Sequence, residues 1–213
     1  MHKPVFAQIS SILCLLVFAT TTHAQIDEHK FEVGAVFTSI TLTDFKQRVS
    51  PGFASGDSTV KGIGGRLAYN INNNFAIDGE GNFFPETKFG NDEFGQKMQG
   101  FVGVKAGIRK KWAGVFAKAR PGVMWFGEFP SIGSCRSTSF GRSCGVAHDK
   151  YLALDFGGVV EFYPAQRAII RVDVGDTIIR YRDRNPSAFS DAFDLKGGWE
   201  SNFQISVGFG WRF

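Results

Sequence analysis

Few residues of this chain could do acid–base or nucleophilic chemistry. Beyond residue 24 there are two histidines, His29 and His148, so any serine–histidine–acid arrangement has to be built on one of them. A general base needs a partner that fixes its ring and a nucleophile within hydrogen-bond reach. His148 has Asp149 beside it and Ser143 five residues upstream, but in an extended chain Asp149 points to the opposite side. His148 therefore reads as a residue at the wet rim of a loop, and His29, next to Glu28, as a solvated one. No catalytic residue is expected, and the chain is not read as an enzyme. Cys135 and Cys144 sit in loop-like surroundings, Gly133-Ser134-Cys135 and Ser143-Cys144-Gly145. Two thiols and one histidine fall short of a metal site, so neither metal nor cofactor is expected. A second kind of chemistry is anion binding: Lys46, Arg48, Lys88, Arg136, Arg142, Arg182 and Arg184 are interleaved with Phe45, Phe53, Phe89, Phe94, Phe126, Phe129, Phe140, Phe189 and Phe193. Within Arg180-Tyr181-Arg182-Asp183-Arg184 three arginines flank a tyrosine, a candidate surface for anionic groups.

The elements that would position these residues are legible from hydrophobic periodicity. His2 and Lys3, the apolar run from Val5 to Ala19 and the Thr22-His23-Ala24 ending read as a secretory signal peptide over 1–24, leaving 25–213 as one domain. Cys14 leaves with it, and an even pair, Cys135 and Cys144, in an exported chain reads as a disulfide. Closing so short a loop stabilises it by about 2–3 kcal/mol. Removal of Lys3 leaves 23 basic against 20 acidic residues, too small and too scattered an excess to argue for nucleic acid. No second run of about 20 apolar residues exists, which excludes a helical membrane bundle.

Past residue 30 the period is two. In the last segment Trp199, Ser201, Phe203, Ile205, Val207, Phe209, Trp211 and Phe213 face one way, and Glu200, Asn202, Gln204, Ser206, Gly208, Gly210 and Arg212 the other. An apolar face so continuous, with aromatics at both ends, fits a strand crossing a bilayer between interfacial girdles. Eight such segments centre on 31–40, 60–72, 74–84, 98–109, 112–125, 150–163, 167–180 and 198–213. Short connections fall near Asn73, Lys110 and Ala165, and long ones at 41–59, 85–97, 126–149 and 181–197. The predicted fold is all-β: an eight-stranded antiparallel up-and-down transmembrane β-barrel with short periplasmic turns and four long extracellular loops.

The opposite parity carries charge: Glu32, Arg66, Asp78, Glu80, Lys105, Lys118, Arg120, Asp155, Glu161, Arg171, Asp173, Glu200 and Arg212. Charges on the lipid face would be costly, so parity and chemistry agree on an interior. Opposite signs on neighbouring strands predict a plug of salt bridges, because eight strands leave an interior that side chains fill; a conducting lumen is the alternative. Asp176 breaks the pattern, since its parity is that of Ile170, Val172 and Val174. Either a bulge at Gly175-Asp176 turns it inward and sends Ile179 to the lipid, or it lies at the outer headgroup level.

The leader, the eight alternating segments and the ending Ser206-Val207-Gly208-Phe209-Gly210-Trp211-Arg212-Phe213 resemble the small outer-membrane β-barrel superfamily, including the outer-membrane protein A/X-like and opacity-type barrels. The resemblance implies a bacterial outer-membrane location and contact with outer-membrane lipid and lipopolysaccharide. It also implies recognition by the outer-membrane assembly machinery through Phe209, Trp211 and Phe213. Function is the part it constrains least. The expected role is structural or surface-interacting, through the extracellular loops of a monomer with an unidentified extracellular ligand. The alternatives are a narrow porin-like channel and a lipid-modifying enzyme, although the histidine, serine and acid groupings of barrel lipases, acyltransferases and proteases are lacking.

Overall fold

In a barrel wall every backbone group is paired with a neighbouring strand, which is why a chain of alternating polarity can cross lipid without helices. The computed structural model describes residues 30–43, 57–89, 92–138, 141–182 and 197–213. Its strands are β1 (Phe31–Leu42), β2 (Ser58–Asn70), β3 (Phe75–Phe84), β4 (Thr87–Phe89), β5 (Asp92–Phe94), β6 (Lys97–Arg109), β7 (Ala113–Thr138), β8 (Gly141–Phe162), β9 (Ala168–Tyr181) and β10 (Gly198–Arg212). Eight of them close an antiparallel barrel in the order β1-β2-β3-β6-β7-β8-β9-β10, and β4 and β5 form a separate two-stranded sheet. Closure is made by β1 and β10, from Glu32 opposite Arg212 to Ile40 opposite Gln204. At its foot the Phe213 N–H donates to the Phe31 carbonyl at 2.8 Å.

The short turns follow from their residues. The Asn72 side-chain carbonyl accepts from the N–H groups of Asn74 and Phe75, each at 2.8 Å, an Asx turn that reverses the chain between β2 and β3. Between β6 and β7 the Lys110 N–H reaches the Ala113 carbonyl at 2.8 Å. Pro164, which has no N–H to add to a ladder, stands in the turn between β8 and β9.

Side chains alternate as the period-two pattern requires. Outward lie Leu67, Val102, Val115, Val160, Val172 and Val207, all largely exposed. Aromatics ring the short-turn end: Phe31 packs on Tyr69 with ring centroids 5.0 Å apart, and Trp112 on Phe162 at 6.4 Å. Trp199 and Trp211 mark the two ends of β10, both outward. The span between them is about 30 Å along the barrel axis, allowing for strand tilt, which matches a bilayer's hydrocarbon layer.

Two expectations change. The connection at 126–149 is not a loop: β7 and β8 continue as a ribbon and pair with each other up to Thr138 opposite Gly141. Pairing to the flanking strands stops earlier, at Phe126 opposite Lys97 on one side and Leu152 opposite Arg180 on the other. The bulge at Gly175-Asp176 is absent, since β9 keeps unbroken register with β10 and with β8. Asp176 faces outward and accepts a hydrogen bond from the Ser201 hydroxyl, whereas Ile179 is buried inside. A neighbouring hydroxyl meets one of its oxygens where a bulge would have cost ladder hydrogen bonds.

Candidate functional site

The lumen is built by three kinds of side chain in layers. At the short-turn end Glu32, on β1, accepts from Asn70 of β2 at 2.9 Å and from Arg109 of β6 at 3.1 Å, with Lys105 at 3.4 Å and Arg212 at 3.5 Å. Lys105 also meets Glu161 of β8 at 2.5 Å. The Tyr163 hydroxyl accepts from Arg109 at 2.9 Å and donates to Glu161 at 2.7 Å.

One step inward is a continuous chain of ion pairs. Arg171 of β9 spans Asp173 at 2.6 Å and Asp78 of β3 at 2.9 Å. Arg120 of β7 reaches Asp78 at 2.8 Å, Glu80 at 2.9 Å and Asp155 of β8 at 2.6 Å. Lys118 lies 3.0 Å from Asp155 and 3.5 Å from Asp173. Arg120, Arg171, Asp78 and Asp155 have no accessible surface at all, so their charges interact through a medium far less screening than water. Such pairs are costly to break singly, whatever their net contribution. Arg66 is brought to the same interior, but among the described residues nothing accepts a hydrogen bond from its three guanidinium nitrogens. Glu200 has the interior parity but sits half-buried at the opposite rim.

Above the charges, neutral polar groups pair: Thr38 with Ser206 at 2.9 Å and Thr177 to Gln204 at 3.0 Å between neighbouring strands, and Gln99 to Gln204 at 3.2 Å across the barrel. The third layer is mainly apolar, with the buried Lys97 set between its register partners Phe84 and Phe126 and donating to the Gly95 carbonyl at 3.2 Å. Ile40, Leu42, Phe84, Phe101, Met124 and Ile179 are buried in one cluster. Phe126, Tyr151 and Tyr181 close over it, with ring centroids 5.6 Å, 6.4 Å and 4.9 Å apart pairwise. Phe126 is therefore an interior residue, not a loop aromatic.

At the outer rim, register pairing links four of the eight strands: Val123 stands opposite Leu152, Leu152 opposite Arg180, and Arg180 opposite Trp199. The Arg180 guanidinium lies 5.7 Å from the Trp199 ring centre. Because β8 and β9 part company above Leu152, a cleft of about 630 Å³ opens there, lined by Lys150, Tyr151, Arg180, Tyr181, Arg182 and Trp199 among others. Arg184 lies outside the described residues, as do residues 1–24, the expected signal peptide, and His29. Cys135, Cys144 and His148 lie on the ribbon, but their side chains fall outside the described ones. Phe209, Trp211 and Phe213 all project outward at the short-turn end.

Arg109 and Tyr163 were missed by sequence reasoning because both abut turns; the parity of Lys105 extends to Arg109 and would have placed it inside. The same rule applies to the apolar layer, since Phe101 shares parity with Lys105 and Met124 with Arg120.

The family described as outer membrane protein beta-barrel domain matches residues 10–213. Among solved structures, the neisserial surface protein A is similar at a TM-score of 0.54 and 10% identity, over 86% of this chain and 97% of that one. The attachment invasion locus protein Ail of Yersinia pestis is similar at 0.50 and 15%, over 87% and 99%. The outer membrane protease OmpT of Escherichia coli aligns over 91% and 99%, at a TM-score of 0.41 and 8% identity. These are likenesses of fold. Comparison with curated protein sequences gives no match.

Proposed function

The chain belongs to the outer membrane protein β-barrel domain family and resides in the bacterial outer membrane, and from that premise we propose that it is a closed barrel whose work is done at the cell surface. The observation that carries this reading is the filled lumen. The ion-paired layer supports closure because alternating signs give no ring of one charge to attract and pass an ion. Phe126, Tyr151 and Tyr181 support it at the other end, where a wall of aromatic rings resists wetting. The ribbon supports the surface role: β7 continues 12 residues past Phe126, about 40 Å of strand that closes no part of the barrel. Extending beyond the lipid, it presents backbone and side chains to an extracellular partner. No catalytic step is assigned to His148.

Planar-bilayer recording of the refolded barrel tests this. Wild type is expected to show no steady conductance, and Phe126→Ala with Tyr181→Ala, which thins the aromatic closure but leaves the ion pairs, no more than brief openings. A stable open level in wild type would replace this reading with the narrow-channel one.

A further inference from the structure

The cleft between the outer ends of β8 and β9 has two properties in one place. Its rim is cationic: Lys150, Arg180 and Arg182 are exposed and none of the residues lining it is acidic. Among the described residues two carboxylates stand close by, both of interior parity and half-buried: Asp149, which accepts the Tyr151 hydroxyl at 2.7 Å, and Glu200, next to Trp199. The cleft's lower edge is continuous with the apolar outer wall, because Leu152 is the direct register partner of Arg180 and Val123 of Leu152. Leu154, Phe156, Val174 and Ile205 extend that wall downward, all outward and exposed. The cations therefore stand where lipid headgroups begin, level with Trp199, whose ring Arg180 covers.

A soluble polyanion would need the charges alone. An amphiphile would use both features, its anionic group held by Lys150, Arg180 and Arg182 and its chains laid over Leu152, Leu154 and Phe156. Arginine suits phosphate, since its planar fork gives two parallel donors to two phosphate oxygens. We propose that this cleft binds the phosphate group of an outer-leaflet glycolipid in preference to phosphate free in solution. The inference deepens the surface role given above and rests on its placing of the long connections outside. Holding a lipid here would fasten the parting strands β8 and β9 together at the foot of the ribbon.

The test uses the refolded full-length mature barrel in nanodiscs, with bisphosphorylated lipid A, the same lipid A with both phosphates removed, and inositol hexakisphosphate in solution as probes. Bound lipid is counted by native mass spectrometry. Trp199 emission, taken as the difference from Trp199→Phe, reports occupancy beside Arg180. The expected result is preferential retention of the bisphosphorylated lipid, with affinity lowered at least about tenfold by combined Lys150→Gln, Arg180→Gln and Arg182→Gln. Lys61→Gln, exposed on β2 and away from the cleft, should change nothing. All three replaced side chains are exposed, so the variants should keep the heat-modifiable gel shift of a folded barrel. Equal affinity for dephosphorylated lipid, or an unchanged affinity in the triple variant, overturns the proposal. Tighter binding of inositol hexakisphosphate, lost in the triple variant, also overturns it and makes the cleft a soluble-polyanion site, leaving the closed surface barrel intact. A conductance in the unmodified barrel would instead strike at the closed-barrel reading, whatever lipid is bound.

Discussion

Arg120→Met is expected to destabilise the barrel by about 3–5 kcal/mol, a larger loss than any other single lumen substitution should cause. Arg120 is fully buried and holds three carboxylates closely, Asp78 at 2.8 Å, Glu80 at 2.9 Å and Asp155 at 2.6 Å, whereas Arg171, which also meets three, has Glu161 only at 3.8 Å. Two of those keep another cation: Asp78 has Arg171 at 2.9 Å, and Asp155 has Lys118 at 3.0 Å. Glu80 is left with the Asn82 amide at 2.8 Å. Methionine fills most of the volume, so the loss measures an uncompensated buried charge and not a cavity. Urea unfolding in detergent micelles, followed by the gel shift between folded and unfolded barrel, gives the free energy. A second variant isolates the cause. Adding Glu80→Gln to Arg120→Met removes the stranded charge and should restore part of the loss, whereas Glu80→Gln in the wild-type background should destabilise. A loss below about 1 kcal/mol for Arg120→Met would mean that these charges are hydrated, as in an open lumen.

The parity rule explains both what the sequence shows and what it hides. A strand has only two faces, so once Trp199 to Phe213 fix which residues meet lipid, Arg120, Asp155, Arg171 and Asp173 have to lie inside. Their partners are harder to name. Asp78 on β3 meets Arg171 on β9 through the barrel interior, not between neighbouring strands, and that contact depends on tilt and stagger that no local pattern encodes. The same limitation affects Arg66, which parity places correctly but which joins none of the pairs. The apolar closure was visible in principle. Ile40, Phe84, Phe101 and Met124 share parity with buried charges, but inward apolar residues look alike whether they face a core or a lumen. The ribbon was hidden for another reason. The segment Gly133-Ser134-Cys135-Arg136-Ser137-Thr138 has the small polar residues of a loop, and pairing across the hairpin is made only by its last three residues, Arg136 to Thr138 against Ser143 to Gly141, after a break in register.

Gly157→Val is expected to block assembly of the barrel, while Gly158→Val next to it is tolerated. The two glycines are adjacent in sequence and opposite in face. A Cβ on Gly158 would meet nothing within 4 Å. A Cβ on Gly157 would lie 2.3 Å from the Val174 carbonyl oxygen and 2.6 Å from the Gly175 Cα, both backbone atoms that cannot swing aside. Gly175 is its direct register partner, and a Cβ there would fall 2.2 Å from the Phe156 carbonyl oxygen. The wall between β8 and β9 is thus folded inward so sharply at this pair that neither strand can carry a side chain on its inner face. Lys118, the partner of Gly157 on β7, reaches Asp155 and Asp173 across that bend. Valine at 157 must therefore flatten the bend, which pulls Asp173 away from Lys118 and breaks ladder hydrogen bonds on both sides, a cost of about 3 kcal/mol or more. Yield of heat-modifiable barrel after refolding into micelles is the measurement. Gly157→Ala should fall between wild type and valine, because even one carbon collides. Equal yields for the valine variants at 157 and 158 would show that the wall is open enough there to need no glycine, and that the inward fold between β8 and β9 does not set the width of the lumen.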